Sequence, residues 1–291
     1  MALAQPSPFS LLRTLLVLGR ASNLPTVWSN CFAGWLLSGG GEWKTFLWLC
    51  LGATCLYTGG MYLNDAIDAN FDLQFRRERP IPSGAIKLET VWLLSGLWLI
   101  VGMLMLTSLG KVVAALAVCL LLCIVLYDFI HKAVPFSPVV MAGCRFFLYL
   151  VASASAARGL SGWATWSALG LAAYIIGLSY LARKESLRGP VKHWPMYLLA
   201  TPIALALVLN DGDFRPRAWL LSLLMGLWVL RCLRPTFWSA ERNVGATVSA
   251  LLAGIVLVDM LAVVPQPYPQ GMIFLLLFGA SLLFQRIIPA T

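Results

Sequence analysis

Charge is what this sequence has least of. Only 11% of its 291 residues are charged and only 12 are acidic, whereas 60% are hydrophobic. Soluble domains carry roughly a quarter charged residues, so a fully water-facing surface is excluded for a chain of this length. There is no Cys-x-x-Cys spacing and there are only 2 histidines, which leaves no pattern for a zinc site. The 7 cysteines are an odd number, and Cys31, Cys50, Cys55, Cys119, Cys123 and Cys144 lie inside apolar runs. They read as core packing rather than a disulfide framework. No short apolar stretch with a small-residue cleavage site opens the chain, so no cleaved signal peptide is expected. Internal repeats, low-complexity segments and soluble domains are absent as well. One membrane-embedded domain over residues 1–291 is the expectation.

What is present is apolar sequence in runs of spanning length. A transmembrane helix needs roughly 20 mostly apolar residues. Runs such as Leu93–Ser108 and Val112–Leu126 lack the alternation of barrel strands. Backbone in a bilayer must satisfy its own hydrogen bonds, so helices follow. The fold class expected is an all-α, polytopic membrane helical bundle. Spans are predicted near 24–38, 45–64, 91–109, 112–130, 136–156, 163–182, 194–209, 217–235, 245–264 and 271–288. Phe9–Leu18 reads as an interfacial helix before a break at Gly19–Asn23, and Pro25 suits a first helical turn.

The net charge of +9 invites a nucleic-acid reading, but topology explains it better. With ten spans starting inside, fifteen Lys and Arg fall in inside loops and five in outside loops. That bias places both termini in the cytoplasm, as expected for a bacterial inner-membrane protein with no nucleic-acid partner. The ends of spans two, four and six then share the cytoplasmic side.

The second span ends in Asn64-Asp65-x-x-Asp68-x-x-x-Asp72. At 100° per residue these four side chains fall within one face, provided the helix continues through Phe71. Three carboxylates on one face repel unless a cation lies between them. Oxygen-only ligands suit Mg²⁺, which keeps some waters and bridges to phosphate oxygens. Asp65, Asp68 and Asp72 are therefore the metal and catalytic candidates, with Asn64 beside them. Arg76, Arg77 and Arg79 follow, then the rigid turn Pro80-Ile81-Pro82-Ser83-Gly84. Guanidinium forks match diphosphate oxygens. In Tyr127-Asp128-Phe129-Ile130-His131-Lys132, Asp128 and Lys132 have the spacing to pair on one helical face.

The run NDAIDANFD followed by RPIPSG resembles the first signature of the UbiA superfamily of intramembrane prenyltransferases. Arg20, Tyr127 and Lys132 also stand in familiar places. The resemblance implies nine core transmembrane helices, plus a tenth here, around a central cavity open to lipid. It implies an Mg²⁺-dependent enzyme that passes a prenyl group from an isoprenoid diphosphate to an aromatic or lipid-like hydrophobic acceptor. By residue match, Asn64, Asp65, Asp68 and Asp72 would hold the Mg²⁺-diphosphate and Arg79 would flank it. Tyr127 and a base, Lys132 or else His131, would contact the diphosphate.

The sequence departs from that pattern at the end of span six. A second aspartate-rich motif is usual there, but this chain has Tyr180-Leu181-Ala182-Arg183-Lys184-Glu185-Ser186-Leu187-Arg188. Glu185 is the lone carboxylate and metal candidate. Arg183, Lys184 and Arg188 are phosphate-binding candidates that replace a second metal, and Asp128 is a substitute ligand. The departure resembles an EboC-like branch of the superfamily, from bacterial operons proposed to export a metabolite precursor. A non-catalytic binding or export protein for a phosphorylated or polar metabolite is therefore the second reading. Arg145, a third of the way into span five, has two readings: a cavity residue for an acceptor's anionic group, or a side chain snorkelling to the inside surface. Asp259 reads as a buried, hydrogen-bonded structural group.

Overall fold

The computed structural model describes residues 8–186, 193–239 and 242–290. Among them there is no strand, and each predicted span is helical. An interfacial helix α1 (Pro8–Leu18) precedes α2 (Leu24–Leu37), α3 (Trp43–Ile67) and the short α4 (Ala69–Phe75). Then come α5 (Leu88–Thr107), α6 (Lys111–Ile130), α7 (Ser137–Ala154) and α8 (Gly162–Ser186). The chain closes with α9 (Trp194–Leu199), α10 (Thr201–Leu209), α11 (Arg215–Phe237), α12 (Val244–Ala262) and α13 (Tyr268–Gln285).

Seven helices are long and apolar enough to cross a bilayer: α3, α5, α6, α7, α8, α11 and α12. The other three predicted spans are shorter pieces. α2 has 14 residues, about 21 Å at 1.5 Å per residue. The span expected over 194–209 breaks at Ala200, because Pro202 sits at the start of the next helix and cannot donate to the preceding turn. α13 is an 18-residue helix whose apolar part runs from Pro269 to Gln285.

The core gathers around α2, α7, α8 and α12, where Tyr149, Tyr174, Leu171 and Leu251 are fully buried. A second cluster joins α3, α6 and α7 through Leu49, Leu56, Ala117 and Val151. The outer surface is apolar instead of charged: Leu93 is 72% exposed, Leu104 66% and Leu276 73%. A contiguous apolar surface of this kind belongs against lipid. Small residues let α3 and α5 approach closely. A Cβ on Gly102 would lie 2.9 Å from the Leu56 nitrogen, and one on Gly59 would lie 3.0 Å from the Leu99 nitrogen. The Ser95 hydroxyl donates to the Gly59 carbonyl at 2.9 Å across the same seam. This packing fixes α3, and α3 carries the aspartates.

Candidate active site

Helical geometry survives the junction between α3 and α4. The Asp68 amide donates to the Asn64 carbonyl and the Asp72 amide to the Asp68 carbonyl, each at 2.9 Å. Asp68 is the joint, with φ −79° and ψ −4°. Asn64, Asp65, Asp68 and Asp72 therefore stay on one side, and all four are buried, with Asp72 only 2% exposed.

A collar of cations surrounds them. Arg20 Nη2 lies 3.2 Å from both Asn64 Oδ1 and Asp65 Oδ1. Arg79 Nη1 joins Asp65 Oδ1 at 3.2 Å to Asp72 Oδ2 at 3.0 Å. Lys132 Nζ meets Asp68 Oδ1 at 2.6 Å, and His131 Nε2 lies 3.3 Å from Asp68 Oδ2. His131 and Lys132, the two candidate bases, both reach the Asp68 carboxylate. Asn64 Nδ2 donates to Asp128 Oδ1 at 3.0 Å, so α3 and α6 are tied by a neutral donor. The i, i+4 pair expected between Asp128 and Lys132 is replaced by these cross-helix contacts. The reason is geometric: α6 ends at Ile130, and Lys132 lies beyond it, over the Phe71 ring at 3.8 Å.

Two environments tune the groups outside the spans. Burial pushes the Asp68 carboxyl up, but hydrogen bonds and charge from His131 and Lys132 outweigh it and hold the group below the usual carboxylate range. Burial works against the Arg20 charge, yet Asp65, with Tyr57 and Tyr127, holds its guanidinium above the usual value. Arg20 is also the one non-glycine residue with positive φ among the described residues, at φ 41° and ψ 49°. Such a conformation costs about 1–2 kcal/mol and is found where a side chain must be aimed. Arg20 contacts the cluster as directly as Arg79 does. Its sequence signal was weaker: a lone Arg in a break between two helices.

The remaining candidates are dispersed. Tyr127 stacks on His131 with ring centroids 5.2 Å apart. Arg183, expected as a phosphate-binding candidate, has its guanidinium on the loop between α6 and α7. Its Nη1 donates to the Val134 and Pro135 carbonyls at 2.7 and 3.0 Å and to Ser137 Oγ at 3.0 Å, so it clamps the α6–α7 loop. The side chains of Lys184 and Glu185, and Arg188 altogether, lie outside the described residues. Arg145 does not snorkel to the surface. It donates to Asn30 Oδ1 at 2.8 Å and Thr26 Oγ1 at 3.0 Å. Asn30 in turn donates to Asp259 Oδ2 at 2.7 Å, and Ser29 donates to the same oxygen. Asp259 is fully buried and hydrogen-bonded.

The donor chemistry suits Mg²⁺. Asp65, Asp68 and Asp72 offer only hard oxygens. Asp72 Oδ1 and Asp128 Oδ2 are buried with no hydrogen-bond partner, so acceptor capacity is left over at the cluster. Among the described residues no preformed group of three or more metal-ligating side chains exists, because the cations occupy the carboxylate oxygens.

Comparison with known proteins agrees with this geometry. The chain is 27% identical over 158 residues to a 4-hydroxybenzoate octaprenyltransferase of Aeromonas salmonicida (strain A449), covering 53% of this chain and 52% of that protein. It is 39% identical over 89 residues to a protoheme IX farnesyltransferase of Bdellovibrio bacteriovorus, covering 30% of each. The chain thus spans about half the length, or less, of these curated relatives. In fold it is similar to a UbiA homologue from Aeropyrum pernix K1 (TM-score 0.66, 16% identity, 82% of this chain and 97% of that one). It is similar also to a UbiA homologue from Archaeoglobus fulgidus bound to GPP and Mg²⁺ (TM-score 0.61, 12% identity, 93% and 98%). The UbiA prenyltransferase family matches residues 23–282, nearly the whole bundle, and the chain belongs to that family.

Proposed function

We propose that the chain transfers a prenyl group from an isoprenoid diphosphate to a hydrophobic aromatic or lipid-like acceptor at this end of the bundle. The observation that carries the reading is the buried aspartate face of α3 and α4, held by Arg20, Arg79, His131 and Lys132. Three carboxylates and three permanent cations leave the cluster close to neutral. Asp65, Asp68 and Asp72 would hold Mg²⁺ through hard oxygens, and Arg20, Arg79 and Lys132 would face the phosphate oxygens. When bound, Mg²⁺ would neutralise the diphosphate and ease departure of its oxygen.

The chain's own residues do the rest. Arg20 and Arg79 supply fixed guanidinium forks, and Lys132 supplies a mobile point charge for the negative charge that builds on the leaving diphosphate. The allylic C–O bond breaks with its electron pair leaving on the diphosphate. A carbon or oxygen of the acceptor forms the new bond and gives up a proton. The apolar bundle keeps water from the allylic cation. The inside-loop charge bias supports placing this end at the cytoplasmic face of a bacterial inner membrane.

Purified protein with Mg²⁺, prenyl diphosphates of several lengths and a crude lipid and aromatic pool should release diphosphate, and Asp68→Asn should abolish the release. Folded protein that releases none with any chain length would overturn the reading. A second reading, binding or export of a phosphorylated or polar metabolite without ionising it, is favoured by the Arg183-Lys184 end of α8 in place of a second acidic motif. Cellular function retained by Asp68→Asn would select it.

A further inference from the structure

The end of the bundle away from the aspartates holds a second polar cleft, and its chemistry is independent of prenyl transfer. A cleft of about 410 Å³ opens between the α2–α3 turn, the α7–α8 loop and the start of α13, lined by Trp35, Gly40, Gly41, Trp43, Arg158 and Gln270 among others. α3 runs 25 residues from Trp43 at this cleft to Ile67 at the aspartate cluster, about 37 Å. The two sites therefore share no residue and face opposite sides of the bundle.

The cleft is built for an anion that carries a hydroxyl. Trp35 is 3% exposed, yet its indole Nε1 is buried with no hydrogen-bond partner. That nitrogen borders the cleft, since a Cβ on lining Gly41 would lie 3.7 Å from it. A buried N–H without an acceptor is costly, and an oxygen anion in the cleft satisfies it. Arg158 adds a guanidinium, its stem packed so closely on Gly39 that a Cβ there would meet Cγ at 2.9 Å. Two helix N-termini converge on the same space: α3 begins at Trp43, with no side-chain cap from Glu42, and α13 presents Gln270 in its first turn. Their positive ends favour negative charge. Gln270 Oε1 is a buried, unpartnered acceptor, and it calls for a donor such as a hydroxyl. Trp43, 62% exposed and 5.2 Å from the Trp35 ring, stands at the depth where aromatic side chains meet headgroups.

We infer that this cleft binds a phosphate group with a neighbouring hydroxyl, the chemistry of an anionic glycerophospholipid headgroup or of free glycerol phosphate. The test uses the full-length protein purified in detergent. Native mass spectrometry compares retention of phosphatidylglycerol with that of phosphatidylcholine, and glycerol 3-phosphate and inorganic phosphate are added as competitors. Phosphatidylglycerol should be retained selectively. Arg158→Gln should weaken it roughly tenfold or more, as expected for loss of a charge-assisted hydrogen bond. Trp35→Phe, which removes the N–H and shrinks the buried ring, should weaken it as well. Displacement by glycerol 3-phosphate identifies a soluble ligand, and resistance to displacement identifies the lipid itself. Arg158 is an exposed position, so Arg158→Gln keeps the test decisive if Trp35→Phe fails to fold. Equal retention of the two lipids, or full binding by folded Arg158→Gln, overturns the inference.

Discussion

Replacing Arg79 by Gln separates the two jobs of the cation collar. Arg79 pairs with Asp72 at 3.0 Å and shares Asp65 with Arg20. The side chains of Asp72 and Asp65 are 3% and 8% exposed, and that of Arg79 is 17% exposed. Breaking a buried pair by removing one partner costs about 3–5 kcal/mol. Asp65 keeps Arg20, so one stranded carboxylate sets the scale, and Arg79→Gln should lose about 3 kcal/mol. Asp72→Asn added to that variant removes the stranded charge and should recover about 2 kcal/mol of it, a coupling typical of one network. Mg²⁺ supplies the missing cation differently. At a hundredfold excess over its dissociation constant a ligand stabilises by about 2.7 kcal/mol. Mg²⁺ should therefore rescue Arg79→Gln more than it stabilises the wild type, while diphosphate affinity falls. The assay is SDS-driven unfolding in mixed micelles, with and without Mg²⁺. An Arg79→Gln variant within about 0.5 kcal/mol of wild type, or one whose loss simply adds to that of Asp72→Asn, would refute the reasoning.

Three further outcomes follow from the same geometry. Asp68 has a folded-state pKa below its usual value, so its stabilising contribution is present above the unfolded pKa of about 3.9 and disappears as pH falls through the folded value. Lys132→Gln removes one cause of the depression, so acid unfolding of that variant should begin at a higher pH than in wild type. At Arg20, Arg20→Gly should be more stable than Arg20→Ala by about 1 kcal/mol, because only glycine occupies positive φ without strain. Both should lose the diphosphate site, which a binding titration reads directly. Gly34→Ala should destabilise by about 1–3 kcal/mol, since its Cβ would lie 2.6 Å from the Tyr149 carbonyl oxygen and force α2 from α7. A melting point unchanged by that substitution would mean that the two helices are not in contact.

The legible parts of this protein are those in which cause and effect are close in sequence. Hydropathy located the seven long apolar helices among the described residues because a bilayer constrains about 20 residues at a time. Helical period placed Asn64, Asp65, Asp68 and Asp72 on one side because the hydrogen bonds that maintain the turn join residues four apart. The break at Ala200 was written in Pro202, but the apolar run masked it. Arg20 and Arg145 were harder, because a charge in an apolar chain announces a partner without naming it. Asn30 links Arg145, 115 residues away, to Asp259, 229 residues away, and only the packing of α2 between α7 and α12 brings them together.

The same limit applies to Arg183 and points to how the site is balanced. Composition counted Arg183 with the phosphate binders because it stands at the inside end of α8, where the family's acidic residues usually lie. The structure directs it to the Val134 and Pro135 carbonyls, which fixes the loop that follows Lys132. Arg183 therefore bears on the aspartate cluster through the loop that follows Lys132, whose ammonium lies 2.6 Å from Asp68. A charge reversal in sequence need not make a charge reversal at the site. The four residues nearest the aspartates come from the break before α2, the turn after α4 and the end of α6. What distinguishes the cluster is a one-to-one match of carboxylates and permanent cations. Such a match leaves each of Asp65, Asp68 and Asp72 with a cation beside it, so none is a stranded buried charge.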